Sequence, residues 1–442
     1  MQAVILAGGR GKRLGKISKI IPKALIKIGD KSILEHQILL LKRYGIKRIW
    51  ILSGYLSHKI KEYIQDGKKW GVSIHHLQED NPLGTAGALK NLEGKVREDF
   101  LVLSGDLICD FDIKNFIGFH KRHRTSLASI IVHSNNHPFD SDLVEIDEDS
   151  KVTHFFLRKN KTQPRTLQFR NLANASIYIL KPEIFKYIKG GKKSDIEKDL
   201  FPLVLKRGGQ LYAYKTAEYI KDVGTITRLK IISKDFLSKK VAKFNRRYRR
   251  KAIFMDRDGV INYEVDKLTS ATDFKMFPFA THAIKKINSS DYLAIIITNQ
   301  PMVAKGLLKD KDLDRIHKQL EAILGLSGAK LDAIYYCPHH PERGFSGEIP
   351  QLKIKCNCRK PKIGLIKRAV KEFNIDLSHS FFIGDSTVDV KTAQNAGIRF
   401  IGVKTGYGLK DSKYKLVNDF PLTKNLLEGV KFIIKNKVML PY

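Results

Sequence analysis

The chain has 442 residues, 43% hydrophobic and 28% charged, which excludes a collagen-like, mucin-like or wholly disordered protein and leaves length for two or three domains with sizeable cores. Its 80 Lys and Arg outweigh 45 Asp and Glu, a net charge of +35 that invites a nucleic-acid partner. The excess is spread, with +17 over residues 1–238, +8 over 239–251 and +10 over 252–442, so a lysine-rich solvated surface accounts for most of it.

Short β-branched runs alternate with helical patterns along the chain. Val4–Leu6 predicts a strand, Ile33–Tyr44 a helix, and Arg48–Leu52, Val72–His75 and Phe100–Leu103 further strands. A second series starts at Ala252–Met255 and continues through Leu293–Ile297, Ile334–Tyr336 and Phe381–Ile383. Such alternation is the pattern of βαβ units and predicts a two-domain α/β protein with mostly parallel sheets. Between the series, 239–251 carries 8 basic and no acidic residues. That stretch is too charged for a core and is expected to be a solvated linker between a domain at 1–238 and one at 252–442. No fixed-period repeat argues for a solenoid.

Met1 runs directly into the first strand pattern, so no signal peptide is expected, and no apolar run is long enough to span a membrane. Four cysteines do not make a disulfide framework in a chain of this length. Three of them fall between positions 337 and 358, which predicts a local metal site in a reducing compartment and hence a cytoplasmic protein.

The first strand ends in Leu6-Ala7-Gly8-Gly9-Arg10-Gly11-Lys12-Arg13-Leu14, with Pro22-Lys23 downstream. Gly8, Gly9 and Gly11 let backbone N–H groups and nearby cations approach phosphates. The run lacks the Gly-Lys-Ser/Thr ending of a P-loop and matches the dinucleotide fingerprint poorly. Further along come Glu79, Leu83-Gly84-Thr85-Ala86-Gly87-Ala88, Leu103-Ser104-Gly105-Asp106, Asn174-Ala175-Ser176 and Lys221-Asp222-Val223-Gly224-Thr225. This ordered set resembles the sugar-1-phosphate nucleotidyltransferases, and the resemblance covers roughly residues 1–238.

That family joins a sugar phosphate oxygen to the α-phosphorus of an NTP and expels pyrophosphate, so cations and Mg²⁺ must bring two polyanions together. The resemblance implies a Rossmann-like nucleotide-diphospho-sugar transferase fold. It also implies that Arg13 steadies the pyrophosphate, Lys23 neutralises the α-phosphate, and Asp106 and Asp222 hold Mg²⁺. Gly8, Gly9, Gly11, Glu79, Gly84 and Thr85 would bind the nucleotide, with Asn174 and Lys159 on the sugar phosphate. Glu79 stands where several relatives carry a base-reading Gln, and a carboxylate acceptor suits the N–H donors of guanine, which favours GTP. Arg158 departs from the family, standing where a carboxylate commonly binds sugar hydroxyls.

The strand Ala252–Met255 is followed by Asp256-Arg257-Asp258-Gly259-Val260. Carboxylates at i and i+2 leave a strand end on the same side, so one can attack while the other handles protons. Thr298-Asn299-Gln300, Arg359-Lys360 and Gly384-Asp385 with Asp389 follow in order, and the set resembles the haloacid dehalogenase-like phosphatases. In that scheme Asp256 forms an aspartyl-phosphate and Asp258 is the acid and base. Thr298 and Lys360 hold phosphoryl oxygens, and Asn299, Gln300 and Arg359 contact substrate. Asp256, Asp258 and Asp385, with the main-chain oxygen of Arg257, make the Mg²⁺ site.

Within this half, Cys337 and His339, then Cys356 and Cys358, supply the four soft or borderline ligands of a closed tetrahedral Zn²⁺ site. His340 is expected to be an exposed neighbour. A filled site is structural, and over 337–358 it would fix the loop that leads into Arg359 and Lys360. This zinc loop narrows the resemblance to the D,D-heptose 1,7-bisphosphate phosphatases, with histidinol-phosphate phosphatases second.

The two chemistries fit one sequence of reactions, a 7-phosphatase leaving heptose 1-phosphate for a nucleotidyltransferase, with GMP transfer from GTP favoured. The alternative within the same class is a hexose-1-phosphate nucleotidyltransferase fused to another sugar phosphatase. A nucleic-acid end-processing phosphatase would use the +35, but no helix-turn-helix, RRM or aromatic-interleaved basic stripe accompanies it. A sensor that has lost catalysis is disfavoured by the intact acidic and basic motif residues. Expected partners are sugar phosphates and an NTP, with no nucleic acid and no membrane, and homo-oligomerisation is left open.

Overall fold

The computed structural model describes residues 1–157, 168–264, 268–416 and 419–436. Among these residues the chain divides into two units, one of 1–133, 141–157 and 172–245, the other of 134–140, 168–171 and the described part of 246–436.

The first unit runs β1 (Gln2–Leu6), α1 (Ile33–Arg43), β2 (Arg48–Ser53), β3 (Ser73–Gln78), α2 (Gly84–Lys90), β4 (Phe100–Ser104) and β5 (Leu107–Asp110). It continues through β6 (Ser126–His133), β7 (Leu143–Ile146), β8 (Val152–Phe156), β9 (Ala173–Leu180), β10 (Gln210–Lys215), β11 (Tyr219–Asp222) and α3 (Ile226–Leu237). Apolar side chains on both faces make β1 a central strand, with Ala3, Val4 and Ile5 fully buried. It pairs in parallel with β2 and β4, and β2 pairs in parallel with β3. The remaining strands widen this into a 9-stranded sheet, in which β9 is antiparallel to β4. β5 and β11 form a separate antiparallel pair that sets Asp222 opposite Leu107.

The predicted helix at 33–44 is α1, with Tyr44 as its C-cap. Ser32 and Glu35 form a capping box, and Ile33, Leu34, Ile38 and Leu41 turn inward.

The second unit contains β12 (Lys251–Met255), β13 (Tyr292–Asn299), α4 (Asp310–Leu326), β14 (Ala333–Cys337), α5 (Gly364–Phe373), β15 (Phe381–Gly384), α6 (Thr387–Ala396), β16 (Arg399–Val403) and β17 (Leu422–Thr423). Its 6-stranded sheet has the order β14-β13-β12-β15-β16-β17, every pair parallel. Ala252, Ile253, Phe254 and Met255 are fully buried at its centre. A parallel sheet of this kind opens its crevice outside the C-terminal ends of the strands, where Asp256, Thr298 and Asp385 lie.

The 239–251 stretch is more structured than its charge suggests. Lys240–Lys243 is one helical turn, Asn245 is buried and donates to Asp110, and Lys251 opens β12. Arg250 is buried too, its guanidinium donating to the Phe373 carbonyl and lying over the Phe373 ring. The carbonyl satisfies the donor and the ring faces the cation, which is how a charged residue enters a core.

Ser32→Ala removes the α1 cap and is expected to destabilise the first unit by about 1 kcal/mol, read as a lower denaturation midpoint with an unchanged slope.

Candidate functional site

In the first unit, β1, β2 and β4 lie side by side, and the turns after Leu6 and Ser104 line one cleft together with Leu52 of β2. Its volume is about 400 Å³, and its walls carry Gly8, Gly9, Gly11, Arg13, Lys23, Glu79, Gly84, Thr85 and Asp106. Lys23 Nζ contacts Asp106 Oδ2, and Ser104 Oγ donates to Asp106 Oδ1 at 2.7 Å. Burial alone would raise the Asp106 pKa, but the Lys23 ammonium and the Ser104 hydroxyl hold it below its usual value.

Asp222 is brought up beside Asp106 by the β5–β11 pairing and by a Val223 N–H that donates to the Asp106 carbonyl at 2.9 Å. Both Asp222 oxygens accept from Arg228 Nη1, at 2.5 and 2.7 Å. A Cβ on Gly224 would lie 2.4 Å from Asp222 and 3.3 Å from Arg13, so only glycine leaves space between that carboxylate and that guanidinium. The carboxylates are hard oxygen donors suited to Mg²⁺, although each already faces a cation of this chain.

Glu79 reaches towards Gly8, and its Oε1 is buried with no hydrogen-bond partner among the described residues. Burial raises its pKa. An unpaired acceptor on a cleft wall can take a donor from a ligand.

Asn174 lies outside the residues that line this cleft and beside a carboxylate that the sequence reading did not single out. Its amide donates to the Tyr178 hydroxyl, while Ser176 and Tyr178 hydroxyls donate to Glu197 at 2.8 and 2.6 Å. Burial, reinforced by the charges of Asp142 and Asp195, pushes Glu197 up to about 7. Glu197 has no motif around it, so only the fold reveals it. Lys159 and Arg158 lie outside the described residues.

In the second unit, Lys360 Nζ sits 2.7 Å from Asp256 Oδ2 and 2.6 Å from Asp389 Oδ1. Asp256, Asp385 and Asp389 bring one oxygen each to within 4.8 Å of one another. Burial, with the charges of Asp389 and Asp258 added, pushes Asp256 up to about 7 despite Lys360. Asp385 goes up to about 9 for the same reason, burial first and then Asp389 and Asp256. Three carboxylates facing one ammonium leave an unmet negative charge, which fits a divalent cation with oxygen ligands.

The structure corrects several expectations here. Asp258 is not part of the carboxylate cluster. It accepts from the Arg257 guanidinium at 2.8, 2.9 and 3.1 Å, from Asn262 at 2.9 Å and from Gln300 at 2.7 Å. The Arg257 carbonyl, expected on Mg²⁺, accepts the N–H groups of Val260, Ile261 and Asn262 in the turn after β12. Asn299, expected on substrate, instead clamps the Lys360 main chain, accepting its N–H at 2.9 Å and donating to its carbonyl at 3.2 Å. Gln300 bridges Asp258 and Thr298 Oγ1. Sequence order marks Asp389 but not its pairing with Lys360.

Cys337, His339, Cys356 and Cys358 converge. Their donor atoms approach one another at 3.1–3.6 Å, close to the edge of a tetrahedron with bonds of about 2.3 Å. This cluster can hold a metal ion, and the two thiols of Cys356 and Cys358 immediately precede Arg359, whose guanidinium donates to the His339 carbonyl. His340, expected to be exposed, is buried with its ring edge-on to Phe345, because the loop folds back over it.

Gly259 and Gly406, both with positive φ, press against Asp385; a Cβ at either would lie 2.2 or 2.0 Å from Asp385 Oδ2. Gly406→Ala is therefore expected to lower phosphate release by more than about tenfold while nucleotidyl transfer is kept, as parallel assays of the two activities would show.

The nucleotidyl transferase family profile matches residues 2–239, and a HAD-hydrolase-like profile matches residues 357–427. The second half is similar to a D-glycero-beta-D-manno-heptose-1,7-bisphosphate 7-phosphatase of Pasteurella multocida, 35% identical over 188 residues, 41% of this chain and 99% of that protein. It is also similar to a D-glycero-alpha-D-manno-heptose-1,7-bisphosphate 7-phosphatase of Photorhabdus laumondii, 38% identical over 158 residues, 36% of this chain and 84% of that protein. The first half is 33% identical to the mannose-1-phosphate guanylyltransferase catalytic subunit beta of Danio rerio over 242 residues, 54% of this chain and 63% of that protein. The chain belongs to the nucleotidyl transferase family through residues 2–239 and joins to it a HAD-like phosphatase, so it is an enzyme of two activities.

Proposed function

We propose that the chain makes a nucleotide-activated heptose in two steps, removing the 7-phosphate of D-glycero-D-manno-heptose 1,7-bisphosphate and then transferring GMP from GTP to the heptose 1-phosphate. The observation that carries this is the similarity of the second half to whole 7-phosphatases of heptose 1,7-bisphosphate. Dephosphorylation at O7 leaves a sugar 1-phosphate, the acceptor class of the first half, and a shared chain keeps donor and acceptor sites at high effective concentration.

In the phosphatase, Asp256 attacks phosphorus in line, and its P–O bond forms as the bond to the sugar oxygen breaks. Asp258 gives that oxygen its proton, then takes one from the water that cleaves the aspartyl-phosphate. Lys360 and Thr298 hold the phosphoryl oxygens, and Arg359 stands at the substrate side of the zinc loop. Asp256 and Asp385 would hold Mg²⁺, which supplies positive charge for the phosphoryl oxygens. Zn²⁺ is the ion we assign to Cys337, His339, Cys356 and Cys358, where it fixes the loop ahead of Lys360.

In the transferase, Arg13 and Lys23 gather the triphosphate over the Gly8–Gly11 turn, with Gly84 and Thr85 closing the far wall. Asp106 and Asp222 would hold Mg²⁺ once the nucleotide phosphates compete for Lys23 and Arg228. The unpaired Glu79 oxygen accepts from guanine N–H groups, and Asn174 and Glu197 meet sugar hydroxyls. Reduced thiols are in keeping with a cytoplasmic setting, and among the described residues no helix is long and apolar enough to cross a membrane.

Pyrophosphate release measured across four NTPs and a panel of hexose and heptose 1-phosphates should be fastest with GTP and heptose 1-phosphate. A fastest pair that contains a hexose, or no release with any heptose anomer, contradicts the proposal. Glu79→Gln should lower the preference for GTP over UTP by about tenfold. Cys356→Ser should lower bound zinc and phosphate release together while pyrophosphate release persists, as metal analysis beside the two assays would show.

A further inference from the structure

Arg257 is fully buried, one residue from the nucleophile. One edge of its guanidinium, Nε and Nη2, forks onto the Asp258 carboxylate at 2.8–3.1 Å. The remaining nitrogen, Nη1, lies 3.2 Å from His317 Nε2 on α4. A guanidinium only donates, so the imidazole must offer a lone pair at Nε2 and carry its proton on Nδ1. Complete burial and the charges of Arg257 and Arg170 hold the His317 pKa well below its usual value, which keeps that lone pair available.

His317 Nδ1 is buried and, among the described residues, has no hydrogen-bond partner. An apolar side chain of the same size would remove that unpaired donor; what it would lose is the acceptor for Arg257. The helix is itself fixed at this point. Asp314 and Glu321, one turn to either side of His317, face Arg170 at 2.6 and 3.7 Å, and the Tyr336 ring lies 5.4 Å from the imidazole.

We propose that His317 and Arg257 are positioning residues for Asp258. The neutral imidazole fixes the plane of the guanidinium, and the guanidinium fixes the aim of the carboxylate that moves protons at the phosphoryl group. Asn262 and Gln300 complete the cradle from the other side. The inference rests on the acid–base role proposed for Asp258.

The test compares His317→Leu with His317→Gln in the full chain, assayed on the phosphomonoester that the unmodified chain hydrolyses fastest. Gln places a carbonyl oxygen near the position of Nε2 and can accept from Arg257, whereas Leu cannot. The Leu variant should lose about 30-fold in kcat with KM within about threefold, and the Gln variant should keep at least about a third of the parent kcat. Equal losses in both variants, or no loss in Leu, overturn the proposal. If the Leu chain fails to fold, His317→Asn replaces it. That amide is too short to reach Arg257, so it should be as slow as expected for Leu, and an Asn variant as fast as Gln overturns the proposal. Asp258→Asn is measured alongside; if it leaves kcat within about threefold, the role of Asp258 fails and the inference with it, whatever the His317 variants show.

Discussion

A buried ammonium between carboxylates organises the second half of this protein. Lys360 lies between Asp256 and Asp389, and without it three acidic side chains would meet in a site that water barely reaches. The pairing is held from every direction: Asn299 grips the Lys360 main chain, Ser386 donates to Asp389, and the Cys358 thiol cluster stands two residues upstream. Because the site is buried and one ammonium does not neutralise the group, Asp256 and Asp385 stay above the usual carboxylate range. The remaining negative charge is what a divalent cation would offset, with positive charge left over for phosphoryl oxygens.

The first half solves a related problem with the same elements. Lys23 meets Asp106 after β4, and Arg228 meets Asp222 at the end of β11, which the Val223 N–H ties to the Asp106 carbonyl. In the second half the parallel sheet gathers functional groups at its C-terminal edge, and in both halves cations of the chain lie against the acids. A net charge of +35 makes a positive field, which raises the encounter rate of small polyanions.

Much of this is legible in the sequence. Apolar runs mark β1, β12, β13 and β15, since a strand buried on both faces needs continuous apolar side chains. Motif order marks Asp106, Asp222, Asp256, Lys360 and Asp385, and the spacing of three cysteines and His339 marks the cluster. What escapes is partnership. Asn299 and Gln300 read as substrate contacts, yet they hold Lys360 and Asp258, because a side-chain amide donates and accepts equally well towards ligand or chain. Arg228 and Glu197 have no motif of their own and acquire meaning only through Asp222 and through Ser176 with Tyr178. Arg250 reads as part of a solvated run, although a carbonyl and an aromatic ring draw it inward.

If the two sites act in series on one sugar, phosphorus NMR of the full chain with heptose 1,7-bisphosphate, GTP and Mg²⁺ will show it. Inorganic phosphate should appear first, followed by pyrophosphate and a nucleotide-linked sugar in equal amounts. Pyrophosphate formed while the 7-phosphate remains on the sugar, or phosphate release that is never followed by pyrophosphate, would contradict it.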